Sequence, residues 1–110
     1  MTVKKPWGEY EDIIRTEEYV LKTIRVAPKK RLSLQFHHHR DEYWVCVKGT
    51  PIVDVDHQLQ RLNVGDSVWV QRRLHHRLIN DTDEYIEILE LQHGRCSEDD
   101  IIRLEDDYER

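Results

Sequence analysis

The sequence reads QFHHHRDE from Gln35 to Glu42 and continues as YWVCVKG from Tyr43 to Gly49. Within this stretch Gln35, His37 and Glu42 can each give a lone pair to a metal ion. Side chains alternate between the two faces of an extended segment, so Gln35 and His37 point the same way. A turn after the histidine run would bring Glu42, on the next strand, back beside them. The stretch therefore predicts a metal site shared by two neighbouring strands.

A fourth ligand has to come from another part of the chain, and His76 is the best candidate. Its neighbour His75 points to the opposite face of the same strand, so only one of the two can be a ligand. His39 shares a face with His37 if the first strand continues that far. His39 could therefore bind the metal itself or contact a residue that binds it.

Roughly eight short strands follow one another at regular spacing, with turn residues between them. Residues 18–26 alternate strictly between two faces, and residues 43–47 are apolar on both faces, as in a strand inside a sandwich. The pattern predicts an all-β sandwich or barrel. We predict a single domain over residues 1–110, with an N-terminal arm over 1–17, a barrel over 18–92 and a short helical or irregular tail over 93–110.

Composition narrows the class of protein further. The chain has 110 residues and a formal net charge of -5, which argues against a general binder of nucleic acid or anionic membranes. Cys46 and Cys96 are too few for a disulfide framework. No apolar stretch approaches membrane-spanning length, and the start lacks the apolar centre of a signal peptide. We therefore expect a cytoplasmic protein.

Two spacings in the chain resemble the motifs of the cupin fold. The first motif is matched by Gln35-x-His37-x4-Glu42-x6-Gly49, with Gln at the place where many cupins carry their first His. The second motif is matched by Gly65, His76 and Asn80, while Gln71 and Arg73 replace its Pro and Gly. The resemblance implies a cupin, a double-stranded β-helix or jelly-roll barrel, with Gln35, His37, Glu42 and His76 as metal ligands.

More specifically, the chain resembles the cupin domain of type II mannose-6-phosphate isomerases over nearly its whole length, from Pro6 to Arg110. The segments that carry this likeness are Pro6-Trp7-Gly8-x-Tyr10, the stretch from Leu32 to Trp44, Gly49-Thr50, and the stretch from Glu98 to Tyr108. In many family members this domain follows a mannose-1-phosphate guanylyltransferase domain. We expect that domain to be absent here, so that guanylyl transfer is not implied.

The resemblance implies a stand-alone, metal-dependent sugar-phosphate isomerase that interconverts mannose 6-phosphate and fructose 6-phosphate. Such a reaction passes through an enediol whose negative oxygen a metal can stabilise. Two His nitrogens, one carboxylate and one amide oxygen suit Zn²⁺, with Mn²⁺, Fe²⁺ or Ni²⁺ as alternatives. The base that moves the proton is not identified. The candidates are His39, Glu90 and a hydroxide on the metal.

Cationic side chains are needed to bind the phosphate group of such a substrate. Arg40 follows the metal motif directly, and Lys22 and Arg110 come with the family pattern. Lys22 also falls on the more apolar face of its strand, where a cation needs an anionic partner or a position at the rim. We therefore predict Arg40, Lys22 and Arg110 as catalytic residues.

Two other functions stay open because the loop Gln71–Arg73 and the tail depart from the family pattern. One is a non-catalytic cupin that binds a sugar or a sugar phosphate, and the other is a metal-dependent oxygenase. As partners we predict a small-molecule sugar phosphate, no nucleic acid and no membrane. We also expect a homodimer, since cupins commonly pair and the arm that carries Trp7 could cross to a second copy.

Overall fold

The computed structural model describes residues 1–108, which form eleven β-strands and one single-turn 3-10 helix at Glu98–Asp100. The strands are β1 (Thr2–Lys5), β2 (Gly8–Arg15), β3 (Tyr19–Val26), β4 (Leu34–Phe36), β5 (Arg40–Lys48), β6 (Ile52–Val55), β7 (Gln58–Arg61), β8 (Ser67–Val70), β9 (His76–Ile79), β10 (Ile86–Gly94) and β11 (Ile102–Glu105). The prediction of an all-β protein is confirmed.

The strands form two antiparallel sheets. The six-stranded sheet has the order β1-β2-β3-β10-β5-β8, and the five-stranded sheet has the order β11-β4-β9-β6-β7. From β3 onward the chain passes back and forth between the two sheets, interrupted only by the hairpin β6–β7. Strands that are distant in sequence therefore become neighbours, as in a jelly-roll barrel.

The residues that face the interior change character along the long strands. In β5 the buried residues run from Arg40 and Glu42 at one end to Cys46 at the other. The register aligns the same change in β10, where Gln92 pairs with Glu42 and Ile88 pairs with Cys46. The interior therefore has a polar end and an apolar end.

The apolar end is the hydrophobic core, whose buried members come from both sheets. They are Trp7, Ile24, Val26, Trp44, Cys46, Val53, Leu62, Val70, Leu78, Ile86 and Ile88. Gly49 closes this end of β5 with a φ of 79°, and a Cβ there would lie 2.7 Å from Cγ2 of Ile86. Only glycine combines this backbone conformation with such a close approach.

The first residues differ from the expected N-terminal arm. Residues 2–15 form the hairpin β1–β2, and β2 pairs with β3 inside the six-stranded sheet. Trp7 is 5% exposed, and its carbonyl accepts the backbone N–H of Ala27 at 2.9 Å. The hairpin forms because Pro6 and Gly8 bracket a turn between two extended segments.

The last residues also differ from the expected tail. The helical turn is present at Glu98–Asp100, but Ile102–Glu105 is an edge strand that pairs with β4. Contacts with the rest of the barrel hold this strand, since Arg77 Nη1 lies 3.3 Å from Glu105 and Arg31 Nε lies 2.8 Å from Asp107. Glu105 and Asp107 are therefore partners of arginines in the barrel and not members of a free tail.

Among residues 1–108, none of the helical structure is long and apolar enough to cross a membrane.

Candidate metal centre

Three buried side chains converge at the polar end of the barrel. Nε2 of His37 lies 3.2 Å from Oε2 of Glu42, and Nε2 of His76 lies 3.5 Å from Oε1 of the same carboxylate. The potential ligand atoms of all three residues lie within 4.8 Å of one another. Two imidazoles and one carboxylate at this spacing can share one divalent cation.

Each of these side chains comes from a different segment. His37 follows the end of β4, Glu42 lies in β5 and His76 begins β9. Gln35 pairs with His76 in the register of β4 and β9, and it lines the same cavity as His37 and Glu42. The structure therefore brings all four predicted metal ligands to one end of the barrel. Gln35 is half-buried, whereas the other three are buried.

Hydrogen bonds orient both imidazoles. Nδ1 of His37 lies 3.1 Å from the carbonyl of Asp100, and Nδ1 of His76 lies 3.0 Å from the carbonyl of Leu74. A carbonyl oxygen can only accept, so both Nδ1 atoms donate and both Nε2 atoms point toward Glu42. Histidines that bind metals are typically held in this way.

His76 gives the clearest test of whether a metal fits. Burial, the largest effect, lowers the pKa of His76 despite the neighbouring carboxylate of Glu42, so the ring is neutral. Its Nε2 is buried and has no hydrogen-bond partner. A lone pair left unsatisfied beside an ionised carboxylate and a second imidazole is what a divalent cation satisfies. The residues present therefore fit a metal.

Glu42 is the anionic member of this group. Burial alone would raise its pKa, but the close approach of His37, His76 and Arg40 holds the pKa of Glu42 well below its usual range. Nε of Arg40 donates to Oε2 of Glu42 at 3.1 Å. The carboxylate is therefore ionised at neutral pH and can act as a ligand.

Two of the three predicted cationic residues line the same cavity. Arg40 is 4% exposed and Lys22 is 5% exposed. Nζ of Lys22 lies 3.7 Å from Oδ1 of Asp12 and 4.5 Å from the centre of the Tyr10 ring, which supplies the partner that a buried lysine needs. Arg110 lies outside the residues that the structure describes.

A second buried carboxyl group, Glu90, also lines the cavity. Its oxygens accept hydrogen bonds from Nε1 of Trp44 at 2.8 Å and from Nε2 of Gln92 at 2.7 Å. Burial, followed by the charge of Glu42, raises the pKa of Glu90 to about 8. The cavity therefore holds one ionised and one protonated carboxyl group at neutral pH, a pairing often found where protons are held or moved.

Other residues that the sequence singled out lie away from this centre. His39 is exposed, and His75 stacks on Phe36 with ring centres 5.3 Å apart. Asn80 is structural, because its Nδ2 lies within hydrogen-bonding distance of three carbonyl oxygens, those of Val26, Ala27 and Glu84.

Asp100 was missed by sequence reasoning, although its carbonyl holds His37. It sits in an acidic run near the C-terminus that looks like a helix cap. The only signal that could have marked it is the likeness of residues 98–108 to the family pattern.

Comparison with known proteins identifies the family. The family described as "Mannose-6-phosphate isomerase C-terminal" matches residues 1–106. Mannose-1-phosphate guanylyltransferase ManC of Salmonella typhimurium is 38% identical over 109 residues, and alginate biosynthesis protein AlgA of Pseudomonas aeruginosa is 42% identical over 109 residues. Each match covers 98% of this chain and 23% of the relative, so the chain spans about a quarter of the length of these relatives.

Solved structures share the fold at low sequence identity. The capsular polysaccharide assembling protein CapF of Staphylococcus aureus superposes with a TM-score of 0.81 at 16% identity, over 96% of this chain and 34% of that chain. The Cnp3 cupin domain of Schizosaccharomyces pombe superposes with a TM-score of 0.75 at 11% identity, over 78% and 64% of the two chains. The predicted cupin fold is confirmed.

The predicted function needs correction. ManC and AlgA are named for guanylyl transfer to mannose 1-phosphate and for alginate biosynthesis, and isomerase appears in the family description but not in their names. The prediction that this chain interconverts mannose 6-phosphate and fructose 6-phosphate was therefore wrong. Because the family pattern matches residues 1–106 of its 110 residues, this cupin chain belongs to the mannose-6-phosphate isomerase C-terminal family.

Proposed function

We propose that this chain is the metal-binding domain of a mannose-1-phosphate guanylyltransferase system, in which it binds the phosphorylated mannose. The observation that carries the proposal is the buried group of His37, Glu42 and His76, which opens onto a cavity lined by Lys22 and Arg40. The sugar is inferred from the relatives, which are named mannose-1-phosphate guanylyltransferases. The positive charges of Lys22 and Arg40 in the cavity suit its phosphate group.

The metal would be held by His37, Glu42 and His76, with Gln35 as a fourth ligand. Nitrogen-rich sites with one carboxylate favour Zn²⁺, and Mn²⁺, Fe²⁺ or Ni²⁺ are the alternatives. When bound, a divalent cation would supply a Lewis-acid centre for oxygen atoms of the sugar or its phosphate. Elemental analysis of the purified protein identifies the ion.

The side chains around this centre suit a phosphorylated sugar. Lys22 supplies a buried positive charge, and a phosphate group has the oxygens to accept its hydrogen bonds. The terminal nitrogens of Arg40 make long contacts, 3.4 Å to the carbonyl of Ser97 and 3.3 Å to Nε2 of His37, so they can turn toward an anion. The protonated carboxyl of Glu90 can donate a hydrogen bond to a sugar hydroxyl.

Calorimetry with the metal-loaded protein tests this proposal. We expect mannose 1-phosphate to bind more tightly than mannose 6-phosphate, and both to bind more tightly than mannose. Replacing Lys22 removes a charged hydrogen bond, so Lys22→Met should weaken binding of mannose 1-phosphate by about 10- to 100-fold. Lys48→Met is the matched control, since Lys48 is exposed at the other end of β5. Equal affinity for all three sugars would overturn the proposal.

We also propose that the chain forms a homodimer. A row of side chains runs across the outer face of the six-stranded sheet through paired positions: Ile14 pairs with Leu21, Leu21 with Leu91, Leu91 with Tyr43, and Tyr43 with Trp69. Trp69 is 49% exposed and Ile14 is 44% exposed. A contiguous apolar surface of this kind favours association with a second copy.

A cytoplasmic location is the remaining part of the proposal. Its support is the state of the cysteines, since Cys46 is buried, Cys96 is half-buried and both are free thiols. Free thiols persist in reducing compartments.

A further inference from the structure

We propose that Asp100 is a positioning residue for the metal ligand His37, so that the C-terminal turn Glu98–Asp100 is a working part of the metal centre. This inference rests on metal binding in the proposed function, but it does not depend on which sugar is bound. Asp100 touches neither a substrate nor the ligand atoms, and it acts through the backbone and ring of the histidine segment.

Three hydrogen bonds join Asp100 to three consecutive histidines. Its carbonyl accepts from Nδ1 of His37 at 3.1 Å. Its carboxylate accepts the backbone N–H of His38 at 3.0 Å through Oδ1 and that of His39 at 2.9 Å through Oδ2. Asp100 is 8% exposed, so these bonds lie in a largely dry environment. One residue therefore holds both the ring of His37 and the loop that follows it.

The turn that carries Asp100 is itself anchored on both sides. Before it, the backbone N–H of Arg95 donates to the carbonyl of His39 at 2.9 Å. Within it, the backbone N–H of Asp100 donates to the carbonyl of Ser97 at 3.0 Å. After it, Ile102 pairs with Phe36 as β11 adds to the edge of β4. The carbonyl that His37 meets is therefore fixed relative to β4.

The two histidine ligands differ in how they are held. His76 donates to the carbonyl of Leu74, which lies two residues earlier, just before β9. His37 donates to a carbonyl that lies 63 residues away in the chain. The segment 37–39 lies between β4 and β5, and the N–H groups of His38 and His39 donate to the carboxylate of Asp100 in place of a strand partner. Movement of the C-terminal turn would therefore displace His37 while leaving His76 in place.

Removal of such a supporting partner lowers metal affinity by a known amount. Groups that orient a metal-binding histidine typically change metal affinity by 10- to 100-fold when they are removed. Asp100→Ala keeps the backbone carbonyl but removes both carboxylate bonds, so the loop can shift and carry Nε2 of His37 away from Glu42. Asp100→Asn keeps one acceptor oxygen and should lose less affinity than Asp100→Ala.

The first experiment measures Co²⁺ and Zn²⁺ affinity by competition with a chromophoric chelator, using the whole chain. We expect Asp100→Ala to bind about 10- to 100-fold more weakly than the wild type, with Asp100→Asn in between. Asp99→Ala is the matched control, because Asp99 lies in the same turn, carries the same charge and is exposed. Equal losses for Asp99→Ala and Asp100→Ala would mean a general charge effect and would overturn the inference, as would wild-type affinity in Asp100→Ala.

A second measurement separates this inference from the proposed function. Nitrogen-15 NMR of the imidazole rings, on protein treated with chelator, reports which nitrogen of His37 carries the proton. We expect a single tautomer with the proton on Nδ1 in the wild type and in Asp99→Ala, and a mixture of tautomers in Asp100→Ala. Failure of the metal-loaded wild type to bind any phosphorylated mannose would refute the proposed function alone, because the role of Asp100 needs only the metal. An unchanged His37 spectrum in Asp100→Ala would refute the role of Asp100 whatever the metal result.

Discussion

Glu42 and Glu90 face the same cavity from adjacent strands, and at neutral pH Glu42 is ionised whereas Glu90 is protonated. Glu42 pairs with Gln92 in the register of β5 and β10, which places Glu90 one step further along the same inner face. Arginine and histidine neighbours lower the pKa of Glu42, whereas burial and the charge of Glu42 itself raise the pKa of Glu90 to about 8. The ionised carboxylate can therefore bind a cation while the second one stays protonated.

The raised pKa of Glu90 predicts a specific dependence of stability on pH. Between its ordinary pKa of 4.5 and the folded value of about 8, the folded protein holds a proton that the unfolded chain has released. The free energy of unfolding should therefore fall as pH rises through this window. Glu90→Gln removes the titration and should flatten the profile between pH 6.5 and pH 8, where His76 is neutral in both the folded and the unfolded chain. Urea denaturation between pH 5 and pH 9 measures this.

The control for Glu90 is Glu17→Gln, since Glu17 is exposed in a bend. This variant should keep the slope of the wild type. A wild-type profile that is level or rises between pH 6.5 and pH 8, above the ordinary pKa of His76, would contradict the predicted charge state of Glu90.

Removal of His76 should abolish tight metal binding. His76 supplies the unsatisfied Nε2, and without it one nitrogen ligand is lost outright. We expect His76→Ala to weaken Zn²⁺ affinity by more than about 100-fold, which exceeds the loss typical of a supporting residue. Calorimetric titration measures the affinity. His75→Ala is a close control, because His75 lies next in the chain and stacks on Phe36. Similar affinities for the two variants would count against His76 as a ligand.

The exposed apolar row predicts how the oligomeric state responds to mutation. Trp69 lies at the end of this row, in the edge strand β8. Trp69→Lys places a charge in the proposed interface and should convert the dimer to a monomer in light scattering at micromolar concentration. Leu59→Lys is the control, since Leu59 is 68% exposed but belongs to the five-stranded sheet. A wild-type monomer at this concentration would remove the basis for the proposed dimer.

Asn80 should matter for stability and not for metal binding. Its side chain joins the turn after β9 to the end of β3, through donation to the carbonyls of Val26 and Ala27 and acceptance from the hydroxyl of Thr82 at 2.6 Å. Asn80→Ala would leave buried carbonyls unsatisfied, which costs about 1–3 kcal/mol for each group. Thermal denaturation should show a clear loss.

Asn63→Ala serves as the comparison for Asn80, because Asn63 is an exposed turn residue. We expect its stability to stay near that of the wild type. Metal affinity should be unchanged in both variants, and a large loss of affinity in Asn80→Ala would show that the turn after β9 reaches the metal centre.

Much of the barrel could be predicted because its signals are local. Strict alternation over residues 18–26 marked β3. The candidate ligands Gln35, His37 and Glu42 lie within a stretch of eight residues, so strand geometry alone predicts that they lie together. The position of Lys22 on the inner face followed from the same alternation.

The sequence by itself determined the all-β class, the strands of the barrel and the candidate ligands, because side-chain alternation and turn chemistry act over a few residues. Only the tertiary structure decided that residues 2–15 join the six-stranded sheet, that Ile102–Glu105 becomes an edge strand, and that Asp100 holds His37. The physical reason is that these contacts join segments far apart in the chain. No local sequence pattern predicts which distant carbonyl accepts the hydrogen bond of a histidine ring in the folded barrel.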